Sequence, residues 1–424
     1  MSESSQQSEA NIGLIGHVDH GKTTLTNALS GKWADQHSEE QKRGITIKLG
    51  YAECDIYEDP DGDGPSRLHV DNDDGAYDHV RSISLVDAPG HESLMATMLA
   101  GTTVMDGAIL IIAADERVPQ AQTEEHLMAL EIAGIDNIIV AQNKIDLLTD
   151  DQLKQNHEQI KAFLKDTSYE DAPVIPISAE KRVNIDYLLQ AIQDHLPTPD
   201  RDETLSPRFL TTRSFDINRP GYSPDDLVGG VLGGSLTQGT LDVGDDIVIK
   251  PGRVVTEHNQ QVAKPIKTSV TSLNAGNTSL DEARPGGSLG VMTELDPSVV
   301  KSDNLVGNIV GDEDALPPVW QRVKLDVELL DRVVGATGDK EVEDIKRGET
   351  LLLNVNSATT AGQVYELGKD LVKVALRLPI CAEHGDRMSI SRKVGNRFRL
   401  IGHGVLDADE SEEADVDETQ NENN

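Results

Sequence analysis

Residues Gly16-His17-Val18-Asp19-His20-Gly21-Lys22-Thr23 follow the pattern G-x-x-x-x-G-K-[ST], which is typical of loops that bind nucleotide phosphates. Its two glycines let the backbone curl so that consecutive N–H groups point at phosphate oxygens. Lys22 supplies a cation for the β- and γ-phosphates, and the Thr23 hydroxyl can bind Mg²⁺. An apolar run at Asn11–Ile15 predicts a buried strand before the loop, and Lys22–Leu29 predicts a helix whose N-terminus faces the anion.

The charge of the chain is strongly negative. Its 424 residues include 74 Asp and Glu but only 38 Lys and Arg, for a net charge of −36, and the excess is spread along the whole sequence. Such a surface repels nucleic acid and destabilises its own fold at ordinary salt. Both effects are screened in molar salt, where the Debye length is about 3 Å. We therefore hypothesise a protein of a high-salt cytoplasm, as in a halophilic archaeon. An acidic partner-binding surface, the alternative, would account only for residues 407–424.

Composition also excludes several classes of protein. Cys54 and Cys381 are too few for a disulfide framework or a four-cysteine metal site. The longest apolar stretch, Ala108–Ala114, is too short to span a bilayer. The N-terminal residues MSESSQQSEA lack the layout of a signal peptide. We expect a soluble, cytoplasmic protein.

Strand-like and helix-like segments alternate through the first 200 residues. This rhythm predicts an α/β domain over residues 11–200, with a mainly parallel sheet, flanking helices and ligands at the carboxyl ends of the strands. The predicted strands are Ile12–Ile15, Ile83–Val86, Ala108–Ala113, Asn137–Ala141 and Val174–Ile177.

The segment Asp87-Ala88-Pro89-Gly90 follows the second of these strands. Asp87 can hold Mg²⁺ directly or through water, and Gly90 can offer its N–H to a γ-phosphate and move when that phosphate leaves. His91 could orient the attacking water. Taken singly, these residues are also compatible with an ordinary turn and a capping histidine.

A second group of residues predicts the choice of base. In Asn143-Lys144-Ile145-Asp146, the Asp146 carboxylate can accept two hydrogen bonds from guanine, whereas adenine lacks that donor pair. Asn143 and Lys144 would tether the loop and cover the base, and Ser178-Ala179-Glu180 would complete its recognition. Thr46, in Arg43-Gly44-Ile45-Thr46, is suited to close over Mg²⁺ and the γ-phosphate, although a turn threonine is more often structural.

Helical periodicity stops at the proline-stiffened linker Pro197–Asp200. Short alternating runs separated by glycine turns then predict two small antiparallel β-barrels, over residues 201–317 and 318–406. Residues 1–10 and the acidic run 407–424 are predicted to be disordered.

Together these motifs resemble a translational GTPase, and more narrowly the gamma subunit of archaeal and eukaryotic translation initiation factor 2, over residues from about 10 to 406. The GTPase segments that carry the resemblance are GHVDHGKTT (16–24), RGITIKLGY (43–51), DAPGHE (87–92), LMALEIAG (127–134) and NKID (143–146). It continues in RSFD (213–216), GGVLGGSL (229–236), GGSLG (286–290) and RLIG (399–402).

The resemblance implies slow hydrolysis of GTP to GDP and phosphate as a release signal. It assigns catalysis to Lys22, Asp87, Gly90 and His91, and the principal Mg²⁺ to Thr23 and Thr46. A second Mg²⁺ would be held by Asp19 and the Gly44 carbonyl, and the apolar pair Val18 and Ile45 would screen the water from His91. Nucleotide contacts are implied for Asp19, His20, Gly21, Lys22, Thr23, Thr24, Asn143, Lys144, Asp146, Ser178, Ala179 and Glu180.

The implied partners are aminoacylated initiator tRNA, alpha and beta subunits and the small ribosomal subunit. No association with a membrane is implied. The tRNA would lie against the second barrel and the GTPase domain. Of the two subunits, one would bind the second domain and the other the GTPase domain. The basic segment Arg387–Arg399 could contact RNA or form a solvated face.

The sequence departs from many archaeal relatives, which carry a four-cysteine zinc insert between the switch segments. Cys54–Val80 holds only Cys54, so we expect no zinc there, and an acidic, solvated, mobile insert instead. Two alternatives stay open. One is an elongation factor that delivers tRNA, including the selenocysteine-specific type, and the other is a scaffold that binds GTP without hydrolysing it.

Overall fold

The computed structural model describes residues 7–32, 48–72, 75–91, 94–218, 221, 227–257, 260–332, 341–369, 371–395 and 397–416. The chain divides into two compact units, one of residues 8–200 and the other of the rest of the chain. Each unit is considered by itself.

A seven-stranded sheet with helices forms the first unit. Its strands are β1 (Ala10–Ile15), β2 (Gly50–Glu58), β3 (Leu68–His69), β4 (Asp78–Asp87), β5 (Gly107–Ala113), β6 (Ile138–Asn143) and β7 (Val174–Pro176). Its α-helices are α1 (Lys22–Ser30), α2 (Met95–Thr102), α3 (Ala121–Ala133), α4 (Asp150–Leu164) and α5 (Ile185–His195). Short 3₁₀ turns lie at Gly64–Arg67 and Ile145–Leu147.

The sheet has the order β3-β2-β4-β1-β5-β6-β7. Neighbouring strands pair in parallel through the series β4, β1, β5, β6 and β7. By contrast, β2 and β3 add an antiparallel edge. Because parallel strands present their carboxyl ends at one edge, the loops after β1, β4, β5 and β6 meet there. The predicted α/β architecture with a mainly parallel sheet is confirmed.

Apolar strands and helix faces explain why this sheet is buried. Ile12 and Leu14 on β1 pack with Leu25 on α1 and with Leu188 and Ile192 on α5, all of them fully buried. Each such side chain contributes about 1.5–3 kcal/mol through burial. The first helix is therefore held firmly against β1, and the loop between them is fixed at both ends.

The interpretation of residues 54–80 as a solvated, mobile insert is wrong for the strand residues that the segment contains, although residues 60–64 are exposed as predicted. Residues 54–58 belong to β2. Leu68 on β3 belongs to the hydrophobic core of this unit and is only 4% exposed. Asn72 exchanges two hydrogen bonds with the Tyr77 backbone, and the Tyr77 ring stacks on His69 at 4.2 Å. Cys54, Ile56 and Leu68 are buried, whereas Asp61 and Asp63 are exposed, so the acidic composition conceals an ordered edge.

The second unit begins with a closed six-stranded antiparallel barrel, called here the first barrel, in which β11 pairs with both β16 and β12. The strands of this region are β8 (Arg208–Phe215), β9 (Val231–Gln238), β10 (Leu241–Asp242), β11 (Asp246–Glu257), β12 (Gln260–Ala275), β13 (Thr278–Leu280), β14 (Glu282–Ala283), β15 (Leu289–Thr293) and β16 (Ile309–Gly311). A short helix, α6 (Pro297–Val300), and a 3₁₀ turn at Lys301–Asp303 precede β16.

The second barrel is also closed, in the order β17-β20-β19-β18-β21-β22. Its strands are β17 (Val319–Leu329), β18 (Thr350–Val355), β19 (Ala358–Leu367), β20 (Leu371–Cys381), β21 (Arg387–Val394) and β22 (Arg397–Glu413), and β23 (Asp415–Val416) follows. The predicted pair of antiparallel barrels is thus confirmed. In the described part of the chain, no helix is both long enough and apolar enough to cross a membrane.

Two predictions of disorder need correction. Residues 407–413 continue β22 against β17, and residues 415–416 form β23 against β12, so disorder does not begin at Asp407. Near the other end, Ser8 is buried, and β1 begins at Ala10 within the range predicted to be disordered. In both places backbone pairing orders residues whose composition is polar.

Candidate nucleotide-binding site

The loop between β1 and α1 requires glycine at two positions. Gly16 has φ 151°, and a Cβ there would lie 2.3 Å from the Ile111 carbonyl oxygen. Gly21 has φ 95°, and its Cβ would lie 2.4 Å from Nδ2 of Asn143. Any side chain at either position would therefore push the loop off β5 or off the end of β6. The pattern seen in the sequence reflects this close packing.

Lys22 and Thr23 at the start of α1 face groups from the same edge of the sheet. The buried Lys22 Nζ donates to the carbonyl oxygens of Gly16 at 2.9 Å and His17 at 2.8 Å. The Thr23 hydroxyl donates to Oδ2 of Asp87 at 2.8 Å. A hydroxyl and a carboxylate held together offer oxygen ligands, which is the donor chemistry that Mg²⁺ prefers. Thr23 and Asp87 therefore fit the predicted metal.

Gly90 lies directly against the phosphate loop. A Cβ there would come 2.4 Å from Lys22 Nζ and 2.6 Å from the Gly16 carbonyl oxygen. The next residue, His91, is partly buried and lies close enough to His17 to influence it electrostatically. Burial is the main reason that the pKa of His17 is lowered. The segment after β4 and the loop after β1 thus form one continuous surface.

Residues 143–146 and 178–179 form a second cluster at this edge of the sheet. Asn143 Nδ2 donates to the His20 carbonyl oxygen at 2.8 Å, and its Oδ1 accepts from the Ala179 N–H at 3.0 Å. The Ser178 hydroxyl donates to Asp146 Oδ1 at 2.6 Å. Asn143 therefore ties the phosphate loop to both base-recognition segments, while Ser178 fixes the orientation of the carboxylate. Lys144 Nζ lies 3.6 Å from Asp115 Oδ1.

The side chain of His20 points into the protein. It is buried, its Nδ1–H donates to the Ile111 carbonyl oxygen at 2.9 Å, and its Nε2 lies 3.4 Å from Glu116 Oε2. Only its backbone can face a nucleotide. Sequence reasoning missed the role of Glu116, although an acidic residue just beyond the end of a parallel strand was an available signal.

The other predicted residues divide into three groups. Asp19, with φ 64°, and Glu180 are exposed, whereas Val18 and Thr24 are partly buried. Gly44, Ile45 and Thr46 lie outside the described residues. The second metal site and the apolar screen around His91 therefore remain predictions.

The basic segment Arg387–Arg399 forms the hairpin of β21 and β22. One of its cations has a structural role, since the Arg392 guanidinium donates to the Glu349 carboxylate and to the Glu343 and Asp344 carbonyl oxygens. Lys393 is exposed beside it. The segment is therefore only partly available to a polyanion.

Comparison with known protein families agrees with this fold. Residues 7–198 match the family described as the elongation factor Tu GTP binding domain. Residues 321–406 match the C-terminal family of initiation factor eIF2 gamma.

Two full-length relatives are both described as translation initiation factor 2 subunit gamma. The chain is 54% identical to the protein of Natronomonas pharaonis over 409 residues, which cover 96% of this chain and 100% of the relative. It is also 54% identical to the protein of Methanocaldococcus jannaschii over 403 residues, which cover 95% and 98%.

Solved structures resemble this chain in fold. A bacterial selenocysteine-specific elongation factor has a TM-score of 0.71 at 23% identity, covering 94% of this chain and 58% of that one. The elongation factor SelB of Methanococcus maripaludis, in complex with the GTP analogue GppNHp, has a TM-score of 0.69 at 21% identity, covering 95% and 79%.

Proposed function

The chain belongs to the gamma-subunit family of translation initiation factor 2, a family of translational GTPases, and we propose how its site performs that role. In the proposal, the GTP-bound form holds aminoacylated initiator tRNA and carries it to the small ribosomal subunit. Hydrolysis to GDP and phosphate then releases the tRNA. The observation that carries the nucleotide part is the convergence of Lys22, Thr23, Asp87 and Asp146 at one edge of the sheet.

Each side chain has a chemical task in this scheme. Lys22 and the loop N–H groups stabilise the charge that develops on the γ-phosphoryl oxygens as water attacks in line. Thr23 and Asp87 would hold Mg²⁺, which neutralises phosphate charge when it is bound. His91 orients the water, and Gly90 senses the γ-phosphate through its backbone. With no arginine finger in the scheme, turnover is slow, about 10⁻⁴ to 10⁻² s⁻¹.

Guanine selectivity would come from Asp146. Its carboxylate is oriented by Ser178 and can accept both the N1–H and the exocyclic amine of guanine. Replacing Asp146 with Asn turns one acceptor into a donor, which suits xanthine. We expect Asp146→Asn to exchange GTP preference for xanthosine triphosphate preference, as measured by competition binding. Unchanged GTP affinity in this variant would contradict the assignment.

A tRNA-binding experiment tests the function as a whole. Filter binding in molar KCl compares aminoacylated initiator and elongator tRNA, each in the presence of GTP or GDP. We expect selective retention of the initiator tRNA with GTP. Equal retention of both tRNAs would favour an elongation factor, and binding that ignored the nucleotide would favour a scaffold. The similarity to selenocysteine-specific elongation factors is one of fold. It does not by itself favour the function of an elongation factor that delivers tRNA.

We further propose that alpha and beta subunits bind this chain. In the first unit, an exposed apolar set lies near the base-recognition segment. It consists of Leu147 at 58%, Val183 at 42% and Tyr187 at 54% exposure. The Ser178–Asp146 bond brings the segments that carry these residues together. Such a patch suits a partner subunit on the GTPase unit.

A further inference from the structure

We propose that residues 407–416, called here the C-terminal strap, tie the second barrel to the first and hold the two barrels as one body. The strap has the sequence DADESEEADV and begins one residue after the stretch that matches the eIF2 gamma C-terminal family. It passes along β17 of the second barrel and ends beside β12 of the first.

The strap is attached to the second barrel by backbone and charge. Asp407, Glu412 and Glu413 pair with β17, with a bulge between Asp407 and Glu412. Lys324 on β17 pairs with Asp407 at 2.7 Å and with Glu410 at 2.8 Å, and Lys373 on β20 reaches Glu410 at 3.1 Å. The Lys324 side chain is only 13% exposed, so the strap covers it. The acidic residues thus neutralise cations that the barrel would otherwise present.

The strap then crosses to the first barrel through a small apolar cluster. Ala414 is 8% exposed, and its N–H donates to the Val319 carbonyl oxygen at 2.8 Å. Ala414 packs with Val319, from the start of β17, and with Ala263 on β12. Each of the three comes from a different element, namely the strap, the second barrel and the first barrel. Beyond the cluster, β23 pairs in parallel with β12, Asp415 opposite Val262 and Val416 opposite Ala263.

Away from the strap, the two barrels meet around a cavity. A cavity of about 390 Å³ lies between them, lined by residues 251–255, 298–299 and 304–308 of the first barrel and by 358–360 and 378–380 of the second. Arg208 pairs with Glu383 at 2.6 Å, and Gly307 lies against Ala358. The strap contacts Val262 and Ala263, which do not line this cavity, and so adds a separate line of attachment. Its ladder bonds and apolar contacts do not depend on charge and so persist in concentrated salt.

Hydrogen exchange on the full-length chain tests the proposal. Two variants are compared with the wild type: a chain that ends at Leu406, and Ala414→Glu, which places a charge in the apolar cluster at full length. We expect amides at 260–264 to exchange at least about tenfold faster in both variants. Glu413→Gln, at an exposed position of the same strap, is the control and should leave these amides unchanged.

Amides of β5 and of the β18–β19 pair report global unfolding and should keep their protection in every chain. If residues 260–264 stay equally protected in Ala414→Glu and in the shortened chain, the strap does not hold the barrels and the proposal is overturned. Faster exchange at 260–264 alone supports it.

Covalent cross-linking provides an independent measurement. Val262 and Asp415 are partners in the β12–β23 pair, so Val262→Cys with Asp415→Cys should form a disulfide under mild oxidation. Val262→Cys with Glu412→Cys is the control, since Glu412 pairs with Arg322 on β17. Both native cysteines are buried and should not interfere. Absence of the 262–415 cross-link, or equal yield in the control, would overturn the proposed docking.

Discussion

Gly90 and Lys22 pack so closely that a methyl group on the glycine would lie 2.4 Å from the lysine Nζ. The ammonium cannot easily retreat, because it is bonded to the Gly16 and His17 carbonyl oxygens. The turn after β4 and the phosphate loop therefore cannot adopt their positions independently. A change at one is transmitted to the other by contact alone.

Substituting Gly90→Ala should therefore impair the response to GTP. Overpacking costs about 1–3 kcal/mol, which is roughly a 5- to 150-fold loss of GTP affinity. GDP affinity should change less, because the turn is proposed to contact only the γ-phosphate. Fluorescent nucleotide titration measures both. Gly290→Ala is a suitable control, since a Cβ there meets nothing closer than 3.9 Å. Equal losses for GTP and GDP would contradict the proposed role.

The Thr23 hydroxyl should set the Mg²⁺ dependence of nucleotide binding. Thr23→Val keeps the shape of the side chain but removes the oxygen that bonds to Asp87. We expect the Mg²⁺ concentration for half-maximal GTP binding to rise about tenfold or more. Thr23→Ser retains the hydroxyl and should restore the wild-type value. An unchanged Mg²⁺ titration of Thr23→Val would remove Thr23 from the metal site.

Ser178 should contribute to guanine affinity through Asp146. Ser178→Ala removes a hydrogen bond to a charged group, worth about 1.5–3 kcal/mol, and leaves the carboxylate less well oriented. We expect roughly a tenfold or greater loss of GTP and GDP affinity alike, because both nucleotides carry the base. Ser168→Ala is the control, since Ser168 bonds to Glu131. A loss confined to GTP would show that the serine acts elsewhere.

Acid should weaken the attachment of the strap to the second barrel. Hydrogen bonds from Lys324, aided at Glu410 by Lys373, lower the pKa values of Asp407 and Glu410. His384 also faces Asp407, and Glu366 lies beside Lys373. Groups with a lowered pKa stabilise the fold fully above the ordinary carboxylate pKa of about 4. That contribution is lost as the pH falls through the folded values.

Protection factors of strap amides, measured from pH 6 downward, should therefore be constant until about pH 4 and then fall. Lys324→Met should weaken this dependence. Lys346→Met is the control, because Lys346 pairs with Glu343 at an exposed site remote from the strap in sequence. A strap whose protection fell already between pH 6 and 5 would indicate a different titrating group.

Concentrated KCl should stabilise the whole chain. The net charge of −36 opposes compaction, and raising the salt shortens the Debye length from about 10 Å at 0.1 M to about 3 Å at 1 M. We expect the melting temperature to rise steadily toward molar KCl. A melting temperature that stayed flat or fell would argue against adaptation to a high-salt cytoplasm.

Short-range patterns were read correctly from the sequence. The phosphate loop occupies eight consecutive residues, so its geometry follows from local spacing and from the glycine positions. Asp87 and Asn143 could be placed because each closes a parallel strand, and such strands end at one edge. Alternating apolar runs likewise predicted barrels, since a closed sheet needs one apolar face on every strand.

Contacts between distant residues could not be read in this way. Lys324 and Glu410 are 86 positions apart, and nothing local in either segment indicates the other. The acidic composition of 54–80 predicted a solvated insert and that of 407–424 predicted disorder, because charge is the usual mark of disorder.

By itself, the sequence determined the nucleotide chemistry and the order of the domains. Only the tertiary structure decided which acidic residues are used to hold the fold together. The physical reason is that a carboxylate is stabilised by the cation and the strand that face it, and neither of these lies nearby in the chain.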